Sequence, residues 1–221
     1  MSYSNILEDA EKRKILSRIV AHLMGDGCVS IKYFAYYNKN QVLIDNFEKD
    51  LISLFGEIHI IKGRVNSSAL LRMVQNKALH SFFKSLLPDY RSSAIHIPAF
   101  INNREELVEF LKAIYDDEGS VALRVFKKTN EIKRNLTLSS NSLRLIEEVK
   151  TTLDRDFNIS SNKIGINIKI KGEKKFTNYV LSITGKSNFE KFREHIGFYH
   201  PDKINRLNLM IDSYIRLSST I

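Results

Sequence analysis

Residues 19–29 read IVAHLMGDGCV, and residues 111–121 read LKAIYDDEGSV. Each is an apolar stretch at helical spacing that ends in an acid followed by a glycine, Asp26-Gly27 and Glu118-Gly119, and then passes into strand-forming residues. A pattern repeated once in a chain of this length decides the fold before any single residue does, because it says the chain is built from two copies of one unit.

The copies continue downstream. NKNQVLIDNF at 38–47 is answered by SNSLRLIEEV at 140–149, each a strand end running into a helix. Val42, Leu43, Phe47, Leu51 and Leu54 follow helical spacing, with Asn40 and Ser142 placed to cap the two helices. Strands are expected at 58–61 and 69–74 in the first copy. In the second, Ile164, Ile166, Ile168 and Ile170, then Tyr179, Leu181 and Ile183, alternate at period two. Lys77 and Lys186 each open a third helix. Each half therefore reads helix, strand, strand, helix, strand, strand, helix: an α+β fold of two pseudo-symmetric αββαββα halves. The halves are expected at 1–90 and 104–221, joined by a linker at 91–103 that contains Pro98. Asn102 and Asn103 ahead of Glu105 and Glu106 mark the next helix start. A last amphipathic helix follows Pro201, with Ile204, Leu207, Leu209, Ile211 and Ile215 beside Arg206 and Arg216, and is expected to pack on the second half.

The 221 residues are 43% hydrophobic and 27% charged, with few glycines or prolines, which excludes a disordered tail. No apolar run is long enough to span a bilayer and the N-terminus lacks a secretory signal, so a soluble intracellular protein is expected, cytoplasmic or organellar, with no membrane partner. A lone cysteine, Cys28, excludes internal disulfides and cysteine-rich zinc sites, so any metal must sit on oxygen ligands. Cys28 itself reads as a small strand residue. The net charge of +9 favours a polyanionic partner. The basic residues cluster beside predicted strands, at Lys127, Lys128, Lys133 and Arg134 and again at Lys169, Lys171, Lys174 and Lys175.

The two motif stretches, in register and with matching followers, resemble the LAGLIDADG homing endonuclease family in its monomeric, two-motif form. The resemblance covers most of the chain. It implies that the two motif helices pair at the centre of the molecule and that two curved antiparallel sheets form a DNA-binding saddle. Small residues Ala21, Gly25 and Ala113 suit close helix packing. Three positions depart from the family pattern: Met24 replaces the first acid of the motif, Lys112 stands at a usually small or basic position, and Asp117 stands where a small residue is common.

What the resemblance implies for chemistry is a site-specific double-strand DNA endonuclease that uses a divalent metal and leaves short 3′ overhangs. Its catalytic acids map onto Asp26 and Glu118. Two carboxylates at negative helix ends need a cation between them, and Mg²⁺ is expected there, with Mn²⁺ or Ca²⁺ as substitutes; the backbone carbonyls of Gly25 and Asp117 are further candidate ligands. Lys77 and Lys186 occupy matching places where the family carries basic groups, and Asn38 matches a polar position near the family's water network. Ser140, its counterpart, reads as a turn residue. His22 reads as a packing histidine, since no second histidine lies at metal-ligand spacing.

A sheet with one face on helices leaves the other free to enter a major groove. Arg124, Asn167 and Lys169 alternate with apolar residues and are expected to face DNA, together with Lys127, Lys128, Lys133, Arg134 and Lys171. Lys32, Arg64 and Arg72 are the first-half candidates. Because the halves differ, a monomer reading an asymmetric duplex site is expected. Two rival readings use the same fold: a catalytically inactive DNA-binding regulator, and an intron RNA maturase.

Overall fold

The computed structural model describes residues 3–65, 68–126 and 131–214, without the side chains of Ser4, Lys171 and Lys174. The chain is α+β and divides into two compact units, Met1–Asp117 and Glu118–Ile221.

The first unit begins with α1 (Ser4–Glu8) and α2 (Ala10–Met24), followed by β1 (Gly27–Val29), β2 (Phe34–Asn38), α3 (Gln41–Phe55), β3 (Ile60–Val65), β4 (Ala69–Val74) and α4 (Lys77–Leu86). Helix α5 (Arg104–Glu118) runs up to the boundary. The strands make an antiparallel sheet in the order β1-β2-β4-β3. The second unit holds β5 (Gly119–Phe126), β6 (Glu131–Ser140), α6 (Leu143–Phe157), β7 (Gly165–Lys171), β8 (Lys174–Ile183), α7 (Lys186–His195) and α8 (Pro201–Asp212). Its sheet repeats the same order, β5-β6-β8-β7. The expected αββαββα repeat is thus present twice, with α1 and α8 added at the ends. Ile215 and Arg216 lie outside the described residues.

The local causes are visible. Asn40 caps α3 by accepting from the amides of Val42 and Leu43, and Ser142 caps α6 by accepting from Leu145, which satisfies amides that have no partner inside the helix. Asn103 caps α5 through the Glu106 amide, and the Glu106 side chain turns back to the Asn102 amide, a reciprocal cap.

Helix α5 belongs with the first unit because it is tied to α2. Arg13 donates to Glu106, Lys14 pairs with Glu105 at 2.6 Å and Arg18 bridges Glu109 at 2.7 Å. Arg18 also holds Asp50 of α3 through two parallel bonds of 2.8 Å. Residue numbers on α2 and α5 rise together, so the two motif helices run the same way and end side by side. The boundary between the two compact units falls at the C-terminal end of α5.

In the first sheet Phe34 and Tyr36 point at the helices, stacking with Phe83, His22 and Phe47. Alternation then puts Cys28, Ala35, Tyr37, Gly63, Leu71 and Met73 on the opposite face. In the second sheet Val121, Leu136, Leu138, Leu181 and Ile183 are buried on the helix side. Register places Ile166, Ile168 and Ile170 on that side as expected, but they are 62%, 52% and 77% exposed, because α6 packs mainly over β6 and β8 and leaves the outer strand β7 uncovered.

Candidate active site and nucleic-acid interface

Asp26 sits between the end of α2 and the start of β1, exposed to solvent, and its backbone carbonyl accepts from the Tyr37 amide at 3.1 Å. The helix stops at Gly25, whose dihedral angles (φ −79°, ψ −105°) no longer continue it. Gly27, after the acid, does not have a positive φ. Its role is close approach: a Cβ there would stand 2.6 Å from Leu23 Cα and 2.7 Å from the His22 carbonyl oxygen. Glu118 is the last residue of α5, and Gly119 begins β5 directly.

The residues just before the two acids touch. A Cβ built on Gly25 would lie 2.7 Å from Asp117 Cβ. Ala21 and Ala113 are fully buried, as close helix packing requires.

Around this contact lies a network that sequence reasoning missed. Asp117, whose side chain is fully buried, accepts from Tyr36 Oη at 2.6 Å and meets His22 Nδ1 at 2.9 Å. Asn38 Nδ2 reaches Asp26 Oδ2 at 3.0 Å, Tyr36 Oη at 3.1 Å and Asp117 Oδ1 at 3.3 Å, while Asn38 Oδ1 accepts from the Asn40 amide at 2.9 Å. Burial disfavours the charged imidazole of His22, but the Asp117 carboxylate beside it prevails and raises the His22 pKa. Burial, reinforced by the same carboxylate, holds the Tyr36 hydroxyl well above its ordinary pKa. A signal for this network existed in the sequence: His22 and Asp117 are polar residues inside two register-matched apolar helices, and buried polar groups need partners.

The matching position in the second unit behaves differently. Ser140 Oγ accepts from the Ser142 amide at 3.1 Å, the turn role expected of it. Lys77 and Lys186 stand at the first positions of α4 and α7, both exposed, and Lys186 pairs with Glu190 at 3.7 Å.

Among the described residues no group of three or more His, Cys, Asp or Glu side chains gathers as a metal cage. An exposed carboxylate beside a helix end fits a different kind of site, one in which Mg²⁺ takes one or two carboxylates and completes its shell with water and phosphate.

The placements of the candidate DNA-facing residues divide. Arg124, Lys133, Asn167 and Lys169 all lie on the face of the second sheet opposite its helices, and all are exposed. Lys32 is exposed in the β1–β2 turn. Two residues must be corrected. Arg72 is buried on the helix side of the first sheet, donating to Glu48 and lying 3.5 Å from Asp45, both on α3. Arg134 also faces the helices; it donates to Ser213 Oγ at 2.7 Å and stacks 4.1 Å from the Tyr214 ring, fastening the end of α8. Arg64 shares Arg72's side of the sheet but is exposed near the hairpin end. Lys127, Lys128 and the Lys171 side chain lie outside what the structure describes.

The doubled αββαββα order, its two four-stranded sheets and its paired motif helices define the class: the chain has the LAGLIDADG fold. A family model described as LAGLIDADG-like domain matches residues 105–197. Among solved structures, a mesophilic variant of the homing endonuclease I-DmoI is similar at a TM-score of 0.62 and 18% identity, covering 89% of this chain and 98% of that one. I-DmoI in complex with DNA and Mn gives 0.58 and 18%, over 84% and 97%. Full-length DUF199/WhiA from Thermatoga maritima gives 0.58 at 12% identity, over 96% of this chain and 65% of that one. In sequence, 203 residues are 23% identical to glutamine–fructose-6-phosphate aminotransferase of Methanocaldococcus jannaschii, 89% of this chain but only 17% of that protein. An uncharacterised protein of the same organism is 25% identical over 72% of this chain and 57% of its own length. The chain thus spans a small part of one of these relatives and just over half of the other. No helix among the described residues is long and apolar enough to cross a membrane.

Proposed function

We propose that the chain is a divalent-metal-dependent endonuclease that cuts both strands of a specific DNA duplex, acting as a monomer on an asymmetric site. The observation that carries this reading is the contact of Gly25 with Asp117: two parallel motif helices end together, and the residue next in sequence after each contact residue is an acid, Asp26 or Glu118. Both helix C-termini add negative potential there, so the pair calls for a cation.

Asp26 and Glu118 would hold Mg²⁺, with Mn²⁺ or Ca²⁺ as substitutes and the carbonyls of Gly25 and Asp117 as further oxygen donors. Such an ion lowers the pKa of bound water and offsets charge on a phosphoryl group undergoing in-line displacement. Asn38 keeps one Asp26 oxygen fixed through its amide. Lys77 and Lys186 are the candidates to offset the extra negative charge of the transition state.

Binding rests on the open face of the second sheet. Arg124, Lys133, Asn167 and Lys169 carry the charge for phosphate contact and the hydrogen-bonding groups for base edges. The opposite face of the first sheet is uncharged at Cys28, Tyr37, Gly63, Leu71 and Met73, so it suits apolar contact with thymine methyl groups more than hydrogen-bonded readout. Lys32 and Arg64 would supply phosphate contacts at its edges.

The test is incubation of the purified chain with a randomised duplex library in Mg²⁺, followed by sequencing of the cut ends. Enrichment of one asymmetric sequence with short 3′ overhangs supports the proposal. A second reading, a DNA-binding protein that does not cut, is favoured by the likeness to DUF199/WhiA; it predicts retention of a specific sequence on the protein with no cut ends. The likeness to 17% of an aminotransferase carries no aminotransferase chemistry to this chain.

A further inference from the structure

We infer that Asp117, Tyr36 and His22 form a buried positioning device that fixes the Asp26 carboxylate through the side-chain amide of Asn38. The inference rests on the nuclease reading and adds to it three residues that touch neither substrate nor metal through their side chains.

The geometry sets a chain of dependence. The Asn38 carbonyl oxygen is committed to the Asn40 amide, so its NH₂ group must face the acids, and the side chain cannot be flipped without losing that bond. One amide hydrogen serves Asp26 Oδ2; the other is shared by Tyr36 Oη and Asp117 Oδ1. Tyr36 Oη can accept from Asn38 because its own hydrogen goes to Asp117. Asp117 in turn is held by His22, and all three inner side chains are buried. A buried carboxylate with three donors has one low-energy arrangement, and linked bonds of this kind reinforce one another in a low-dielectric interior. Asp26, exposed and at the end of a helix, gains from Asn38 an orientation that solvent would not give it. At the matching position of the second unit the short Ser140 side chain instead accepts from the Ser142 amide in its own turn.

Tyr36→Phe tests the device with least disturbance, since it keeps the buried ring and removes only the hydroxyl that links Asn38 to Asp117. On the DNA sequence recovered from the library, affinity in Ca²⁺ should match the parent. The single-turnover cutting rate in Mg²⁺ should fall roughly ten- to a hundredfold, the scale of a misplaced reacting group. A second readout does not depend on cutting: the Asn38 side-chain amide NMR signals, identified by their loss in Asn38→Ala, should shift and exchange faster with water in Tyr36→Phe. Asp117→Ala, which removes the oxygen that Asn38 and Tyr36 share as acceptor, should do the same. If the parent cuts, and both variants cut at its rate with unmoved Asn38 signals, the device is refuted while the nuclease reading stands. If the parent does not cut, the nuclease reading fails, and unmoved Asn38 signals would separately refute the network.

Discussion

His22 Nδ1 and the carboxylate of Asp117 meet at 2.9 Å inside the first unit, joining the two motif helices near their ends with both side chains almost wholly shielded from water. Burial works against the charged imidazole, yet Asp117, helped by the charges of Asp116 and Asp50, raises its pKa above the ordinary histidine value; the Tyr36 and Phe47 rings pack around it. A group whose pKa is higher folded than unfolded stabilises the fold fully below the unfolded value, and that contribution is lost as pH rises through the folded value. The stability difference between the parent and His22→Gln, followed by urea unfolding, should therefore be greatest near about pH 5 and shrink towards about pH 9. A difference that does not change with pH contradicts the ion pair.

Gly25→Ala should loosen the same helix contact. Its new methyl group would fall 2.7 Å from Asp117 Cβ, an atom anchored directly to the α5 backbone, so no rotamer change relieves the clash and the helices must part. Overpacking of this kind costs roughly 1–3 kcal/mol. Chemical denaturation should show that loss, accompanied by slower cutting; full stability would mean the helices do not approach as described.

Arg72 and Lys133 separate structure from recognition. Arg72→Met removes a buried partner of Glu48, whose pKa is held down against the effect of burial by bonds from Lys62 and Arg72, and should cost roughly 1–3 kcal/mol of stability. The salt dependence of DNA affinity should not change in that variant. A flatter salt slope would return Arg72 to the DNA interface.

Lys133→Ala and Arg124→Ala should do the opposite. Unfolding should be unchanged, and the slope of log affinity against log salt should fall by roughly one for each phosphate that the variant no longer neutralises. Unchanged slopes would remove the open face of the second sheet from the interface.

Much of this arrangement was legible in the sequence, for physical reasons. Period-two alternation along β5 and β7 set the faces of Arg124, Asn167 and Lys169, and capping chemistry placed the starts of α3 and α6. Asp26 and Glu118 stand out because the motif occurs twice in register. Arg72 and Arg134 were misplaced because a charge on a half-buried strand was read as facing outward, whereas their partners come from distant elements: Glu48 lies 24 positions away and Ser213 lies 79 away. The His22–Asp117 pair, 95 positions apart, was hidden for the same reason.

The most direct measurement concerns the two acids themselves. Asp26→Asn and Glu118→Gln keep size and hydrogen-bonding capacity while removing charge, so each should fold and bind the selected duplex like the parent. In Mg²⁺ each should lose double-strand cutting. If both variants still cut at the parent's rate, the carboxylates do not hold the reacting centre, and the proposed mechanism is wrong.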